Sequence, residues 1–140
     1  MTNLIPHKLF LGSLITSTDE VFLKKANIKS IIRILNHYTN SEKSEKEGYN
    51  YKTYYINDDF YEDITLILKN IYEDYQNMEK PILIHCHAGQ SRSVVSCIYI
   101  LIKEGIFENI EEAIKYIEDK RDIYPNEVFI EQLKKLLIKC

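Results

Sequence analysis

The stretch Pro81-Ile-Leu-Ile-His85-Cys86-His87-Ala88-Gly89-Gln90-Ser91-Arg92-Ser93-Val94-Val95 divides into three parts that decide the fold. Pro81 to His85 is short and almost wholly apolar, the pattern of a strand covered on both faces of a sheet. From Val94 onward, Val95, Cys97, Ile98, Ile100, Leu101 and Ile102 leave no polar face, which suits a helix at the centre of a domain. A glycine-containing turn joins the two. A buried strand running into a buried helix is the repeating unit of a parallel α/β sheet, with ligands expected beyond the carboxyl ends of the strands.

Outward from this unit, strands and helices alternate. His7 to Leu11 reads as a short strand, and Ser17 to Ala26 as a helix with Ser17 or Thr18 as N-cap and Glu20 in its first turn. Ser30 to Leu35 is a buried strand and Tyr51 to Ile56 a Tyr-rich one. Ile64, Ile67, Leu68, Ile71 and Tyr75 fall at helical spacing within Asp63 to Asn77. Ile110, Ala113, Ile114 and Ile117, with Asn109 as cap, mark another helix, and Val128, Phe129, Leu133, Leu136 and Leu137, entered through Pro125-Asn126, mark the last. Polar Thr39 to Asn50 reads as the one long loop. The expectation is one α/β domain over residues 1–140, its central, mostly parallel, twisted sheet of about four to five strands flanked by helices on both faces.

Composition narrows the class. The 140 residues are 45% hydrophobic and 28% charged, ordinary for a globular domain. No apolar stretch approaches the roughly 20 residues of a membrane span, and Met1-Thr-Asn-Leu-Ile-Pro-His7 lacks the basic-then-apolar layout of a signal peptide, so a cytoplasmic protein with possible nuclear entry is expected. Cys86, Cys97 and Cys140 leave an odd thiol under any pairing, which points to reduced thiols. A net charge of −3 and a pI of about 5.8 supply no field for polyanions and count against nucleic acid as the main ligand. His85-Cys86-His87 is not a metal site by pattern, because adjacent strand residues face opposite ways and His7 and His37 stand alone; no metal or cofactor is expected.

Scarce residues converge on the central turn. The chain has 3 Arg (Arg33, Arg92, Arg121) among 18 basic residues and only 4 Gly. In it a Cys is followed by Gly at the third position, Arg at the sixth and Ser at the seventh, a coincidence of roughly 0.0002 at this composition. The chemistry accounts for the spacing. A strand-to-helix turn with a glycine can direct successive N–H groups into one concavity, and the helix N-terminus adds its positive end: a site for a tetrahedral oxyanion. Cys86 at its centre is favoured as thiolate, the competent nucleophile. Arg92 can offer two parallel N–H donors to a phosphate, which a lysine cannot. Ser93 can donate to the sulfur and improve it as a leaving group. A departing oxygen needs an acid, and Asp58, Asp59, Glu62 and Asp63, on the loop leaving the Tyr-rich strand, are the candidates. Taken alone, such carboxylates serve solubility and helix capping.

The turn matches the Cys-x5-Arg-Ser/Thr signature of the cysteine-dependent protein tyrosine phosphatases, and its His-Cys-x-Ala-Gly-x-Ser-Arg-Ser form resembles their dual-specificity branch. Lys8-Leu-Phe-Leu-Gly12 resembles the opening strand of that branch, Ala113 to Arg121 the helix after the central one, and Pro125-Asn-x-x-Phe129-x-x-Gln132-Leu133 the closing helix. The resemblance implies that Cys86 is the nucleophile, that the backbone of His87, Ala88, Gly89, Gln90 and Ser91 binds phosphate together with Arg92, and that Ser93 assists the thiolate. In the family the acid is an aspartate followed five residues later by a helix-opening Asp or Asn and an apolar residue. Asp58 with Asp63-Ile64 fits, so Asp58 takes the role, with Asp59 as the alternative and Asp63 as the helix cap. Asp58 stands closer to the cysteine than is usual in the branch, which implies a shortened intervening helix or exit. Asn126 is expected to brace the phosphate loop or to cap the last helix, His85 to orient the loop from a buried position, and Cys97 and Cys140 to be structural, with Cys97 the one conceivable resolving thiol.

The implied activity is metal-independent hydrolysis of phosphotyrosine and phosphoserine or phosphothreonine in proteins through a cysteinyl-phosphate. A short chain without a long phosphotyrosine-recognition loop implies a shallow site that admits all three. The competing readings are the same chemistry on RNA 5′-triphosphate or a phosphoinositide, arsenate reduction or sulfur transfer on a related loop, and a non-catalytic phosphate-binding module.

Overall fold

Ser30-Ile-Ile-Arg-Ile-Leu35 is buried at all of its positions because it lies between two other strands. A computed structural model of the chain describes residues 1–37 and 45–138. It contains a five-stranded sheet built from β1 (Thr2–Ile5), β2 (Leu9–Gly12), β3 (Ser30–Leu35), β4 (Asn50–Tyr55) and β5 (Ile82–His85), in the order β1-β2-β5-β3-β4. All neighbours pair in parallel except β1 with β2. His85 is in register with Gly12 on one side and Arg33 on the other, so the chain after β5 emerges level with the carboxyl end of β2 and beside the last two residues of β3.

Strand residues alternate between two helical layers. Ile32, Ile34, Ile82 and Ile84 face the larger core under α3 (Thr65–Asn77), α4 (Arg92–Lys103), α5 (Ile110–Glu118) and α6 (Glu127–Ile138). Ile31 and Leu83 face the other way, onto Leu23 and Ile28 beside α2 (Glu20–Lys25). Helix α4 is the hub, with every residue from Arg92 to Leu101 buried. Burying one such Leu or Ile side chain stabilises by roughly 1.5–3 kcal/mol, so the α4 layer dominates the core. Among the described residues no helix is long and apolar enough to cross a membrane.

Three local expectations are corrected. Strand β1 was not anticipated: it has one buried residue, Leu4, and exists by antiparallel pairing with β2. The strand expected from His7 starts at Leu9, since His7 has φ 64° and belongs to the hairpin turn. The segment Ser17 to Ala26 is not one helix capped by Ser17 or Thr18. A short α1 (Leu14–Ser17) is capped by Ser13, and α2 by Asp19, whose carboxylate accepts Val21 N–H at 3.0 Å. Ser17 and Thr18 instead donate their hydroxyls back to the carbonyls of Leu14 and Ile15. Of the long loop expected over Thr39 to Asn50, residues 39–44 lie outside the described residues, as does Cys140, and Asn50 already belongs to β4.

The caps at Asn109 and Asn126 form as the sequence suggests, with the side-chain oxygens accepting Glu112 N–H and Val128 N–H, each at 2.9 Å. Arg33 is a buried structural cation. Its guanidinium meets Glu45 at 2.6 Å and Thr53 at 3.2 Å and lies 4.7 Å from the centre of the Tyr51 ring, which keeps a buried charge paired.

His85 ends β5 with no exposed surface, and its Nδ1–H donates to the Cys86 carbonyl at 3.0 Å. Burial pushes its pKa down to about 4, opposed by the Cys86 carbonyl and reinforced by Arg33 and His87. A folded value below the ordinary 6.5 means that the unfolded chain takes up the proton first, so stability is lost as pH falls from about 6.5 to about 4. Unfolding by urea at pH 7 and pH 4.5 should show the wild type losing on the order of 2 kcal/mol more than His85→Gln across that interval, each pKa unit being worth about 1.4 kcal/mol. Parallel losses in the two proteins would refute the assignment.

Candidate active site

Cys86 leaves β5 and Arg92 begins α4, so residues 86–91 close the gap between a buried strand and a buried helix. Gly89 is required there. Its φ is +69°, and a Cβ on it would come within 2.5 Å of the Gly12 carbonyl oxygen and 2.7 Å of Arg121 Nη2. The carbonyls of the turn are held from outside. Cys86 O accepts from His85 Nδ1, His87 O from Leu14 N–H at 3.0 Å, Ala88 O from Arg121 Nη2 at 3.3 Å and Gln90 O from Tyr124 N–H at 2.8 Å. In a planar trans peptide the next N–H points opposite to the carbonyl, so these four bonds turn the N–H groups of His87, Ala88, Gly89 and Ser91 to the inner side. The result is a nest of donors at a helix N-terminus.

The Cys86 thiol is 2% exposed, with Sγ 3.1 Å from Ser93 Oγ. Burial pushes the thiol up, but the Ser93 hydroxyl and N–H, the Arg92 guanidinium and Gly89 N–H outweigh it and hold the thiol below its ordinary value. Arg92 is itself buried, and its Nη1 donates to Asn36 Oδ1 at 2.7 Å and to the Ile56 carbonyl at 2.8 Å. Its Nε is buried with no protein partner among the described residues. The guanidinium is thus anchored along one edge with a donor to spare. Burial, then the Arg92 guanidinium, holds the half-buried ring of His87 below the ordinary imidazole value.

The four candidate carboxylates part company. Asp58 Oδ1 accepts the Ser91 hydroxyl at 3.1 Å and Asn126 Nδ2 at 3.0 Å, which sets it against the phosphate-loop side of the cleft. Asp59 turns into its own loop, taking the N–H groups of Tyr61 and Glu62 at 2.9 and 3.1 Å. Glu62 meets His37 Nε2 at 2.7 Å and Asn57 N–H at 3.2 Å. Asp63 takes the N–H and hydroxyl of Thr65 at 2.9 and 2.7 Å, bonds that hold its carboxyl low and serve the start of α3. Asn126 does both things expected of it: besides its cap, its N–H donates to Ser91 Oγ at 2.9 Å and its Nδ2 to the Asp59 carbonyl at 2.8 Å. Gln132 of α6 pins the exit of the Asn57–Asp63 loop by donating to Glu62 O and accepting from Ile64 N–H.

Cys97 is a free thiol wholly inside the core on α4, and burial first, then the neighbouring Cys86, pushes it up, away from thiolate. Sequence reasoning missed Asn36 and Arg121. Asn36 is the first polar residue past the carboxyl end of β3, a position the parallel-sheet rule marks. Arg121 was conspicuous only as a scarce arginine, and no spacing tied it to the turn. Among the described residues no three His, Cys, Asp or Glu side chains are grouped to hold a metal ion.

The sequence matches the family model described as "Dual specificity phosphatase, catalytic domain" over residues 9–137. It is 31% identical over 135 residues to "Dual specificity protein phosphatase Mpk3" of Drosophila melanogaster, covering 93% of this chain and 32% of that protein. It is 39% identical over 145 residues to "Putative tyrosine-protein phosphatase AMV078" of Amsacta moorei entomopoxvirus, covering 93% and 82%. The chain spans about a third of the length of the first of these relatives. The human tyrosine phosphatase-like serine/threonine/tyrosine-interacting protein has a similar structure, with a TM-score of 0.86 at 26% identity, covering 99% of this chain and 96% of that one. Human DUSP28, at 22% identity and a TM-score of 0.85 over 99% of this chain and 96% of that one, shares the fold. A catalytic-domain model that accounts for all but the ends of the sequence, and that includes the turn from Cys86 to Arg92, makes this chain a member of the dual specificity phosphatases, within the cysteine-dependent protein tyrosine phosphatase superfamily.

Proposed function

We propose that residues 1–140 act as one catalytic domain that hydrolyses phosphotyrosine, phosphoserine and phosphothreonine in proteins by two in-line displacements. The observation that carries the reading is a buried cysteine held toward thiolate by Ser93, Arg92 and Gly89, in a nest of N–H donors, with a single carboxylate, Asp58, bonded to the side of that nest. In the first step Cys86 Sγ attacks phosphorus, the bond to the ester oxygen breaks, and Asp58 in its acid form gives its proton to that oxygen. The loop N–H groups and the free edge of Arg92 hold the equatorial oxygens of the transferred group. In the second step water attacks the cysteinyl-phosphate, Asp58 takes a proton from it, and the P–S bond breaks to return the thiolate, which the Ser93 hydroxyl stabilises. Inorganic phosphate leaves.

The surroundings favour a phosphorylated side chain over a polyphosphate. Ile15, Phe60, Tyr61 and Tyr124, all exposed, belong to the segments that anchor the turn and carry Asp58, as does Asp59. Such a rim receives an aromatic ring or peptide flank and repels the extra charges of RNA 5′-triphosphate or an inositol phosphate. The names of the curated relatives, dual specificity and tyrosine phosphatases, support the same substrate class. A thiolate nucleophile has to stay reduced, which supports residence in the cytoplasm, with access to the nucleus.

Cys86→Ser should abolish turnover of an aryl phosphate while circular dichroism and thermal unfolding stay those of the wild type, and retained turnover would exclude the mechanism. In a panel of phosphopeptides, triphosphorylated RNA and inositol lipids at one salt concentration, the peptides should have the highest kcat/KM; a tenfold preference for either other class would reassign the substrate. Asp58→Ala should slow phosphoserine peptides by roughly 10²-fold or more and aryl phosphates less, because the poorer leaving group depends more on the acid. A larger defect from Asp59→Ala would move the role to Asp59. Alkylation of Cys86 by iodoacetamide should persist to lower pH than that of a free cysteine, since a lowered thiol keeps its thiolate as pH falls. Ser93→Ala should shift that midpoint upward, and an unchanged midpoint would remove Ser93 from the account.

A further inference from the structure

Arg121 stands outside the signature turn, 35 positions after Cys86, and has no part in the displacements above. Its guanidinium nevertheless lies against the back of the turn. Nη2 donates to the Ala88 carbonyl at 3.3 Å, while Nη1 donates to the Leu11 carbonyl and to Thr2 Oγ1, each at 3.3 Å. Two strands and the phosphate loop therefore meet on one side chain. The contact is close enough that a Cβ on Gly89 would lie 2.7 Å from Nη2.

The Ala88–Gly89 peptide is the weak point of the loop. The carbonyls of His87 and Gln90 are held by backbone N–H groups of neighbouring segments, whereas that of Ala88 is held by a flexible side chain. It is also followed by the only glycine of the turn, whose lack of a Cβ lowers the barrier to turning the peptide over. The other end of this peptide is Gly89 N–H, on the side of the turn that holds Cys86 and one of the groups that favour its thiolate. Because the peptide is planar, a donor on its carbonyl fixes the direction of its N–H. We propose that Arg121 is a positioning residue for the reaction: by holding the Ala88 carbonyl outward it keeps Gly89 N–H aimed at Cys86 Sγ and at the oxygens of a bound phosphoryl group. Lysine cannot do this fully, since one ammonium cannot span Ala88, Leu11 and Thr2 as the planar fork does.

The inference rests on Cys86 as the nucleophile, and its test has a readout that does not require turnover. Arg121→Met in the full chain should raise the pH midpoint of Cys86 alkylation by roughly half a unit or more, since it loosens one of the donors that favour the thiolate. It should also lower kcat for an aryl phosphate about tenfold and weaken inhibition by inorganic phosphate, as expected when one oxyanion donor is misdirected. Arg121→Lys should recover part of both effects. Ile117→Val, which removes a buried methyl from the segment whose carbonyl accepts Arg121 N–H, serves as the stability control and should lower the melting temperature without moving the midpoint. An Arg121→Met protein that melts earlier yet keeps the wild-type midpoint would show a purely structural residue and overturn the proposal. If the wild type turned over no phosphoester, the hydrolytic reading would fail, and the alkylation midpoint would still decide the role of Arg121.

Discussion

Donors that converge on one point repel one another, so an anion-binding turn has to be enforced from behind. Peptide planarity supplies the means, because a bond to each carbonyl on the outer side dictates the direction of an N–H on the inner side. Here the outer bonds come from His85, from Leu14 after β2, and from Arg121 and Tyr124 in the connection between α5 and α6, three separate segments. Leu14 and His85 arrive together because β2 and β5 run parallel and end at one level, with Gly12 and His85 in register. The approach of Gly89 to the Gly12 carbonyl is part of the same constraint: the turn packs directly on the end of the neighbouring strand, and any side chain at Gly89 would separate them.

A second set of bonds ties the acid loop to this frame. Asn126 is the junction, since its Oδ1 caps α6, its N–H reaches Ser91, and its Nδ2 reaches Asp58 and the Asp59 carbonyl. The start of α6, the Asp58–Asp59 loop and the turn at Ser91 are therefore joined at one residue, by its side chain and its backbone N–H. On the far side, His37 takes up Glu62 and Asn36 takes up Arg92, so the segment after β3 braces both partners of the proposed reaction. The buried cation at the site is compensated on its anchored edge by a carbonyl and an amide, which direct it without neutralising it.

The central strand, the central helix and the helices of the second half were legible because their apolar spacing is local information: Ile110, Ala113 and Ile117 recur at helical intervals whatever surrounds them. Strand β1 was not legible, since Thr2 to Ile5 has no alternation of its own and becomes a strand only by lying against β2. The cap of α2 was misassigned because Ser17, Thr18 and Asp19 are all cap-forming types; which one serves depends on where the chain turns after α1, and that follows from its packing. The residues that form the turn could be read because they are nine consecutive positions. Arg121 could not, because a guanidinium that reaches across the fold leaves no spacing to find.

For this protein the sequence alone determined the parallel α/β class, the family and the strand-to-helix turn from Cys86 to Arg92, because each depends on residues close together along the chain. Tertiary structure decided which of Asp58, Asp59, Glu62 and Asp63 faces that turn. The four are all carboxylates within five positions of one another; the bonds from Ser91 and Asn126 place Asp58 beside the turn, whereas Asp59 and Asp63 engage nearby backbone and Glu62 pairs with His37. Tertiary structure also decided how the turn is held. Carbonyl partners are contributed across the sheet and from the segment before α6, and long-range hydrogen bonds of that kind leave no periodicity in the sequence that specifies them.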